Sequence, residues 1–150
     1  MTDRWYDLAA PDASLIQGDL IFDCPVVTWQ TGAYFSQEGT HEPEILKNAV
    51  DDISVDVIVM SQACDLEQCR VDNVTMLNSG QVEDLSIGVR IVYFHEVFTV
   101  PRIFLESLLV HRGKPRFRLL PPFREHLSQA FARFFMRVGL PTPIETPWQP

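Results

Sequence analysis

Hydrophobic side chains follow one spacing through most of the chain and a different spacing near its end. Between residues 20 and 120 they alternate with polar residues or form short runs, and both patterns are typical of β-strands. Strands are predicted over residues 20–27, 28–35, 53–60, 71–77, 89–100 and 116–120. Gly32 predicts a hairpin or a bulge in the second strand. The tripeptide Asn78-Ser79-Gly80 predicts a turn after the fourth strand, since these residues favour chain reversal.

The end of the chain has the spacing of an amphipathic helix. Hydrophobic residues recur there every three or four positions and predict a helix over 123–138 with one buried face, formed by Leu127, Phe131, Phe134, Phe135 and Val138. Shorter helical segments are predicted over 44–50 and, after Pro101, over 102–109. The predicted fold class is therefore α+β, mainly β, with a small, strongly bent sheet or barrel and a C-terminal helix.

Length and composition indicate one folded domain. The 150 residues, of which 46% are hydrophobic, are enough to form a hydrophobic core. We assign the domain to residues 1–140 and a proline-rich tail to residues 141–150. No apolar run approaches the roughly 18 residues of a membrane span, and the N-terminus lacks the basic start and apolar core of a signal peptide. A cytoplasmic location without membrane contact is expected.

The net charge of −8 is unevenly distributed. Residues 1–110 carry 5 basic and 18 acidic side chains, whereas residues 111–150 carry 7 basic and 2 acidic ones. The acidic total argues against indiscriminate nucleic-acid binding, while the basic end is suited to an acidic protein or to phosphate groups. The alternative is that these arginines pair with the chain's own acidic side chains.

Polar side chains concentrate in a short hook, residues 61–67, directly after the predicted strand at 53–60. A polar loop that is aimed by a rigid strand is a favourable place for binding, so Ser61 and Gln62 are binding candidates. The structural alternative is that Ser61, Gln62 and Asp65 hydrogen-bond a tight turn. In that case Ser61 or Asp65 caps a helix over 66–69, and Cys64 fills the core.

Two further kinds of chemistry involve the cysteines. Cys64 is a candidate nucleophile, with His95 or His126 as base and Asp65 as the carboxylate that orients the base. A zinc site formed by all three cysteines and a histidine would need closer ligand spacing than the sequence offers. We therefore expect neither a metal nor another cofactor. The three thiols are expected to be reduced, with core packing as their ordinary role.

Arginines offer a third chemistry, the cleavage of a phosphodiester. Arg116 or Arg118 would stabilise charge on the reacting phosphate, while Asp65 or His95 moves protons and Thr75 contributes a hydroxyl.

The start of the last predicted helix is a further binding candidate, through Arg124 and His126. An arginine there opposes the helix dipole, which predicts an acidic partner, either the hook of this chain or another molecule.

The order of these elements resembles that of MazF/PemK-type toxins, which have a small SH3-like barrel. Residues 18–22, Gly-Asp-Leu-Ile-Phe, resemble the first strand of that family, and residues 57–61, Val-Ile-Val-Met-Ser, resemble its Val-Leu-Val-Ser segment. Thr75 or Ser79 would match the small polar residue of the next strand. Residues 97–105 resemble the family's step from a strand to a short helix, and a terminal helix closes both chains. The resemblance implies a homodimer.

One departure from this family decides the predicted function. The family's ribonucleases are similar in using an arginine just before the Val-Leu-Val-Ser strand, whereas residues 51–56 here are Asp-Asp-Ile-Ser-Val-Asp. Such an acidic segment repels RNA phosphates. The leading hypothesis is a non-catalytic interaction module of a bacterial toxin–antitoxin or defence system that binds a protein partner, or nucleic acid through its basic C-terminal part. The alternatives are an endoribonuclease with a rearranged site and a hydrolase that uses Cys64.

Overall fold

The computed structural model describes residues 4–30, 49–81 and 90–136, which form one antiparallel sheet with helices packed against it. The strands are β1 (Tyr6–Ala9), β2 (Asp19–Trp29), β3 (Val50–Val59), β4 (Asn73–Gln81), β5 (Arg90–Pro101) and β6 (Arg116–Leu119). The helices are α1 (Ala63–Glu67), α2 (Arg102–Arg112) and α3 (Phe123–Met136). The predicted class, α+β and mainly β with a C-terminal helix, is confirmed. Among the described helices, none combines the length and apolar character that crossing a membrane requires.

The strands follow the order β1-β6-β2-β3-β4-β5, and every neighbouring pair is antiparallel. β1 and β5 are the two edges. Of the two predicted forms, a bent sheet or a barrel, the described strands adopt the open, bent sheet.

Two irregularities bend this sheet. One lies in β2 at Asp23, whose φ of 48° is left-handed, and the other lies in β5 around residues 94–96. A bulge increases the local twist and curves the strand. The bend carries the start of β5 toward β2, so that the Arg90 guanidinium carbon lies 4.4 Å from the centroid of the Phe22 ring. Arg90 Nη1 also lies 2.9 Å from Asp56 Oδ2.

Both faces of the sheet are buried, which explains the unbroken apolar run that ends β3. Successive side chains of a strand point to opposite faces. The cluster beneath α2 includes Ile21, Val57, Val59, Val74, Met76 and Leu105. The cluster on the side of α3 includes Leu20, Ile58, Met60, Leu77 and Leu119. β3 therefore supplies hydrophobic side chains to both clusters, as a fully covered strand should.

Helix α3 is less buried than its hydrophobic spacing predicts. Its inward side chains are only half-buried, namely Leu127, Phe131 and Phe134, and Phe135 is 49% exposed. α3 has no fully buried residue, because it covers the edge strand β5, where the Phe94 ring meets Phe131 and Phe134. The expectation of a buried Phe135 is wrong. Val138, the last member of the predicted face, lies outside the described residues.

The predicted turn at Asn78-Ser79-Gly80 is wrong, because β4 continues through all three residues and pairs with the start of β5. Gly80 permits this pairing: a Cβ atom there would lie 2.9 Å from Cε2 of Tyr93. The edge strand β1 was not predicted at all. The predicted helical turn at 44–50, most of the strand at 28–35 and the tail at 141–150 lie largely or wholly outside the described residues.

Candidate functional site

The hook begins with hydrogen bonds that extend the pairing of β3 with β4. The Thr75 backbone N–H donates to Ser61 Oγ over 2.8 Å, and the Met60 N–H donates to the Thr75 carbonyl over 2.8 Å. Two of the predicted binding residues, Ser61 and Thr75, are therefore brought together. The contact fixes the backbone at the end of β3 and uses one acceptor lone pair of the Ser61 hydroxyl.

Helix α1 begins earlier than the sequence predicts, and this shift moves Cys64 to the surface. The helix was expected over 66–69 with Ser61 or Asp65 as its cap. It spans Ala63–Glu67 instead, and its N-cap residue Gln62 makes no side-chain capping bond. Residues two apart point to nearly opposite sides of a helix. Leu66 is therefore buried and Cys64 exposed, so the expectation that Cys64 fills the core is wrong.

The Cys64 thiol is not accompanied by an imidazole. Its Sγ lies 3.7 Å from Gln62 Oε1 and 3.9 Å from Asp65 Oδ1. Neither candidate base is hydrogen-bonded to the hook in the described structure. The His95 ring packs edge-on against Phe134, 4.6 Å between centroids, and His126 is exposed in the first turn of α3. The arrangement that a cysteine hydrolase requires is therefore not assembled by the described residues.

The other two cysteines have separate environments. Cys24 is fully buried in β2, and this burial raises the pKa of its thiol to about 11, although the nearby Arg112 charge acts in the opposite direction. Cys69 is exposed, and its Sγ accepts a hydrogen bond of 3.1 Å from Arg102 Nη1. Within residues 4–30, 49–81 and 90–136, no three His, Cys, Asp or Glu side chains form a group that could hold a metal ion.

The two arginines nominated for phosphodiester cleavage meet a buried carboxylate. Asp19 is completely buried, and its Oδ2 lies 2.8 Å from Arg116 Nε. Its Oδ1 lies 2.6 Å from Arg118 Nε. Arg116 is only 3% exposed. The prediction that the basic end pairs with the chain's own acidic residues therefore holds for Arg116 and Arg118.

Arg116 also holds the loop that precedes β2. Its guanidinium donates to the carbonyl oxygens of Ala10, Ala13 and Ser14 over 2.8–2.9 Å. All of its nitrogens are thus used inside the protein. β6, which carries Arg116, is separated from β4 by β2 and β3 in the sheet. The fold therefore does not place Arg116 beside Thr75, as the predicted cleavage site would require.

At the start of α3, Arg124 finds its acidic partner in the next residue. Arg124 Nη2 lies 2.7 Å from Glu125 Oε1, and this hydrogen bond lowers the pKa of Glu125 below its ordinary value. Arg124 also packs near Gly18, where a Cβ atom would lie 3.2 Å from Arg124 Cγ. The acidic partner of Arg124 within the described residues is thus Glu125 and not the hook, contrary to the prediction.

A groove of about 620 Å³ lies beside β2, between the end of α2 and β6. Its lining is apolar at Phe22 and Pro115, and basic at His111, Arg112 and Lys114. A concave surface with an apolar floor and a few convergent polar groups is the usual form of a binding site.

The basic side chains of the groove differ in their contacts. Arg112 is pinned, since its two terminal nitrogens donate to the carbonyls of Phe22 and Asp23, both over 2.6 Å. His111 and Lys114 are exposed, and neither has a hydrogen-bond or ion-pair partner among the described residues. The charge asymmetry of the sequence pointed to this end of the chain, but His111, Arg112 and Lys114 were not nominated individually. Only the folded chain places them beside β2.

Comparisons of the chain with protein-family models, with curated proteins and with solved structures found no match.

Proposed function

We propose that this protein is a non-catalytic, degenerate relative of the SH3-like MazF/PemK-type barrels, and that it acts as an interaction module of a bacterial toxin–antitoxin or defence system. Its partner is an acidic protein segment, which lies in the groove formed by β2, the end of α2 and β6. The observation that carries this proposal is a pair of exposed basic side chains, His111 and Lys114, at the rim of a groove with an apolar floor. Neither side chain is paired within the part of the chain that the structure describes.

The electrostatics of the groove favour an acidic occupant. Arg112 is held by backbone carbonyls, which carry no net charge, so its positive charge stays available at the groove. Lys114 adds a second positive charge, and Asp23 supplies an acidic side chain to the lining. The apolar floor at Phe22 and Pro115 suits a peptide that alternates acidic and hydrophobic side chains better than it suits a polynucleotide.

A non-catalytic role is supported by the contacts of the nominated site residues, which serve the fold. Arg116 and Arg118 serve the fold through Asp19, and the Ser61 hydroxyl serves the backbone of β4. Cys64 is hydrogen-bonded to the oxygens of Gln62 and Asp65 and to no imidazole among the described residues. The antiparallel bent sheet and the terminal helix agree with the resemblance to the MazF/PemK-type fold, and the homodimer and the cytoplasmic location are part of the same proposal.

Fluorescence anisotropy tests the proposal directly. A short fluorescein-labelled peptide of alternating Glu and Leu should bind the native protein, and added salt should weaken the binding because exposed charges are screened. Lys114→Glu should weaken it by about three- to tenfold, the size expected for reversing one exposed charge. Arg133→Glu is the matched control, since Arg133 is exposed on α3 and outside the groove.

Two results would contradict the proposal. Equal losses in Lys114→Glu and Arg133→Glu would show that only the net charge matters. Tighter, Lys114-dependent binding of a single-stranded RNA of similar length would identify the partner as nucleic acid instead.

One observation favours the endoribonuclease alternative. The bend of the sheet brings Arg90 beside Asp56, the residue just before the Val-Ile-Val-Met-Ser strand, and Arg90 Nη1 donates to the Ser79 carbonyl on the next strand over 3.0 Å. The fold therefore places an arginine beside residues 51–56, the segment in which the sequence itself has none. The Ser79 hydroxyl is fully buried, however, and out of reach of a polynucleotide. We expect no RNA cleavage by the native protein; cleavage that is lost in Arg90→Gln would establish the alternative.

A further inference from the structure

A second, smaller cavity lies between the sheet and α3, away from the groove. Its volume is about 200 Å³, and its walls are largely apolar: Trp5, Leu20, Ile58, Leu119 and Leu127. An apolar cavity of about 150 Å³ is large enough to hold benzene. This cavity therefore has room for one aromatic ring and a small substituent.

The cavity contains a polar group for which the described part of the fold provides no partner. Ser79 is completely buried on β4 and lines the cavity, and its Oγ has no hydrogen-bond partner among the described residues. Buried hydroxyl groups are hydrogen-bonded in the great majority of structures, because leaving one unpaired is costly. An unpaired hydroxyl in a cavity wall is therefore a natural place for a ligand's polar atom.

Arg90 contributes the second polar group of the cavity. Only its Nη1 is engaged, with Asp56 Oδ2 and with the Ser79 carbonyl, so Nε and Nη2 keep unused N–H donors among the described residues. Because Asp56 lies 2.9 Å from this guanidinium, the pair is close to neutral overall. The two groups together suit a neutral acceptor, such as a carbonyl oxygen, better than a carboxylate, which Asp56 would repel.

We infer that this cavity is a binding site for a small, flat, mostly apolar molecule that carries one neutral hydrogen-bond acceptor. The ring would lie among the apolar walls, and the acceptor would receive a hydrogen bond from Arg90. It would receive a second one from the Ser79 hydroxyl after a small shift of the side chains that close this hydroxyl to solvent in the unliganded structure. This inference does not depend on the partner proposed for the groove, since the cavity and the groove share Leu20 but none of their polar groups.

A ligand series separates the contributions of ring, acceptor and charge. Acetophenone is the neutral acceptor, ethylbenzene lacks the oxygen, and benzoate replaces it with an anion. Binding is followed by ¹H–¹⁵N NMR titration of the full-length protein. Acetophenone should give saturable shifts centred on Ser79 and Arg90, with weaker binding of both comparison compounds.

Ser79→Ala tests the hydroxyl, and Ser107→Ala is its matched control, because the Ser107 hydroxyl is exposed on α2 and donates to the Phe104 carbonyl. Acetophenone should bind Ser79→Ala about tenfold more weakly, the effect of one hydrogen bond, and Ser107→Ala unchanged. Equal binding to native protein and Ser79→Ala would overturn the inference, as would preferential binding of benzoate or ethylbenzene. Absence of saturable shifts with acetophenone would overturn it too.

Discussion

Replacement of Asp19 by asparagine tests whether the buried arginine cluster serves the fold. The asparagine would keep the size of the side chain and one acceptor oxygen but would remove the negative charge. Two guanidinium groups now satisfied by Asp19 would then face a neutral amide, whose NH₂ group is itself a donor. One of them, Arg116, is 3% exposed and cannot recover the lost interaction from water.

The expected loss follows from this burial. Breaking a buried ion pair by removing one partner costs about 3–5 kcal/mol, because the remaining charge stays buried and uncompensated. Exposed pairs, by comparison, contribute at most about 1 kcal/mol. Arg116→Met should be more harmful than Arg118→Met. Besides Asp19, Arg116 holds three loop carbonyls, whereas the Arg118 side chain is 23% exposed and holds one loop carbonyl, that of Ser14.

Urea unfolding followed by tryptophan fluorescence measures this loss. With an m-value of about 2 kcal/mol/M, the midpoint should fall by roughly 1.5–2.5 M in Asp19→Asn. Asp23→Asn is the matched control: Asp23 is exposed and its carboxylate has no described hydrogen bond, so its loss should stay within about 0.5 kcal/mol. A loss below about 1 kcal/mol in Asp19→Asn would refute the structural role given to the cluster.

Three further predictions concern Gly80 and the cysteines. Gly80→Ala should lower the free energy of unfolding by about 1–3 kcal/mol in urea denaturation, because the new methyl group meets the Tyr93 ring. The raised pKa of Cys24 means that, between pH 9 and pH 11, the unfolded thiol ionises while the folded thiol stays protonated. The free energy of unfolding should therefore fall by roughly 2 kcal/mol over that interval. Iodoacetamide should label Cys64 and Cys69 in the native protein, as mass spectrometry of the tryptic peptides would show, and Cys24 only after unfolding.

Each of these predictions has its own control. Truncation of the ring in Tyr93→Ala should remove most of the penalty of Gly80→Ala, and an unchanged penalty would exclude the proposed clash. Cys24→Val should abolish the contribution of this thiol to the alkaline loss of stability; an identical slope in the variant would assign the loss to other groups. Equal alkylation rates for all three thiols would contradict the burial of Cys24.

The sequence predicted those parts of the fold that depend on local patterns. The apolar run at 57–60 identified β3, since a strand covered on both faces needs no alternation. The helical spacing after Pro122 identified α3. One local signal was overridden by tertiary contacts: Asn78-Ser79-Gly80 stays extended because β5 pairs with it, and Tyr93 fills the space that Gly80 leaves.

The candidate site was harder to predict because its contacts join distant parts of the chain. Asp19 and Arg116 are 97 residues apart, and no spacing rule connects them. The exposure of Cys64 depends on where α1 begins: the helix starts three residues earlier than predicted, which places Cys64 on the side opposite the buried Leu66. The surplus of basic residues after 110 was visible, but the groove exists only because the end of α2 lies beside β2.

An NMR titration with an isotope-labelled sample tests the central claim most directly, because it locates the binding surface. The Glu/Leu peptide should shift backbone amide signals of β2 around Phe22, of the end of α2 and of Lys114, and should leave the hook at 61–67 unchanged. Shifts confined to the hook would contradict the account, and so would the absence of any saturable shift.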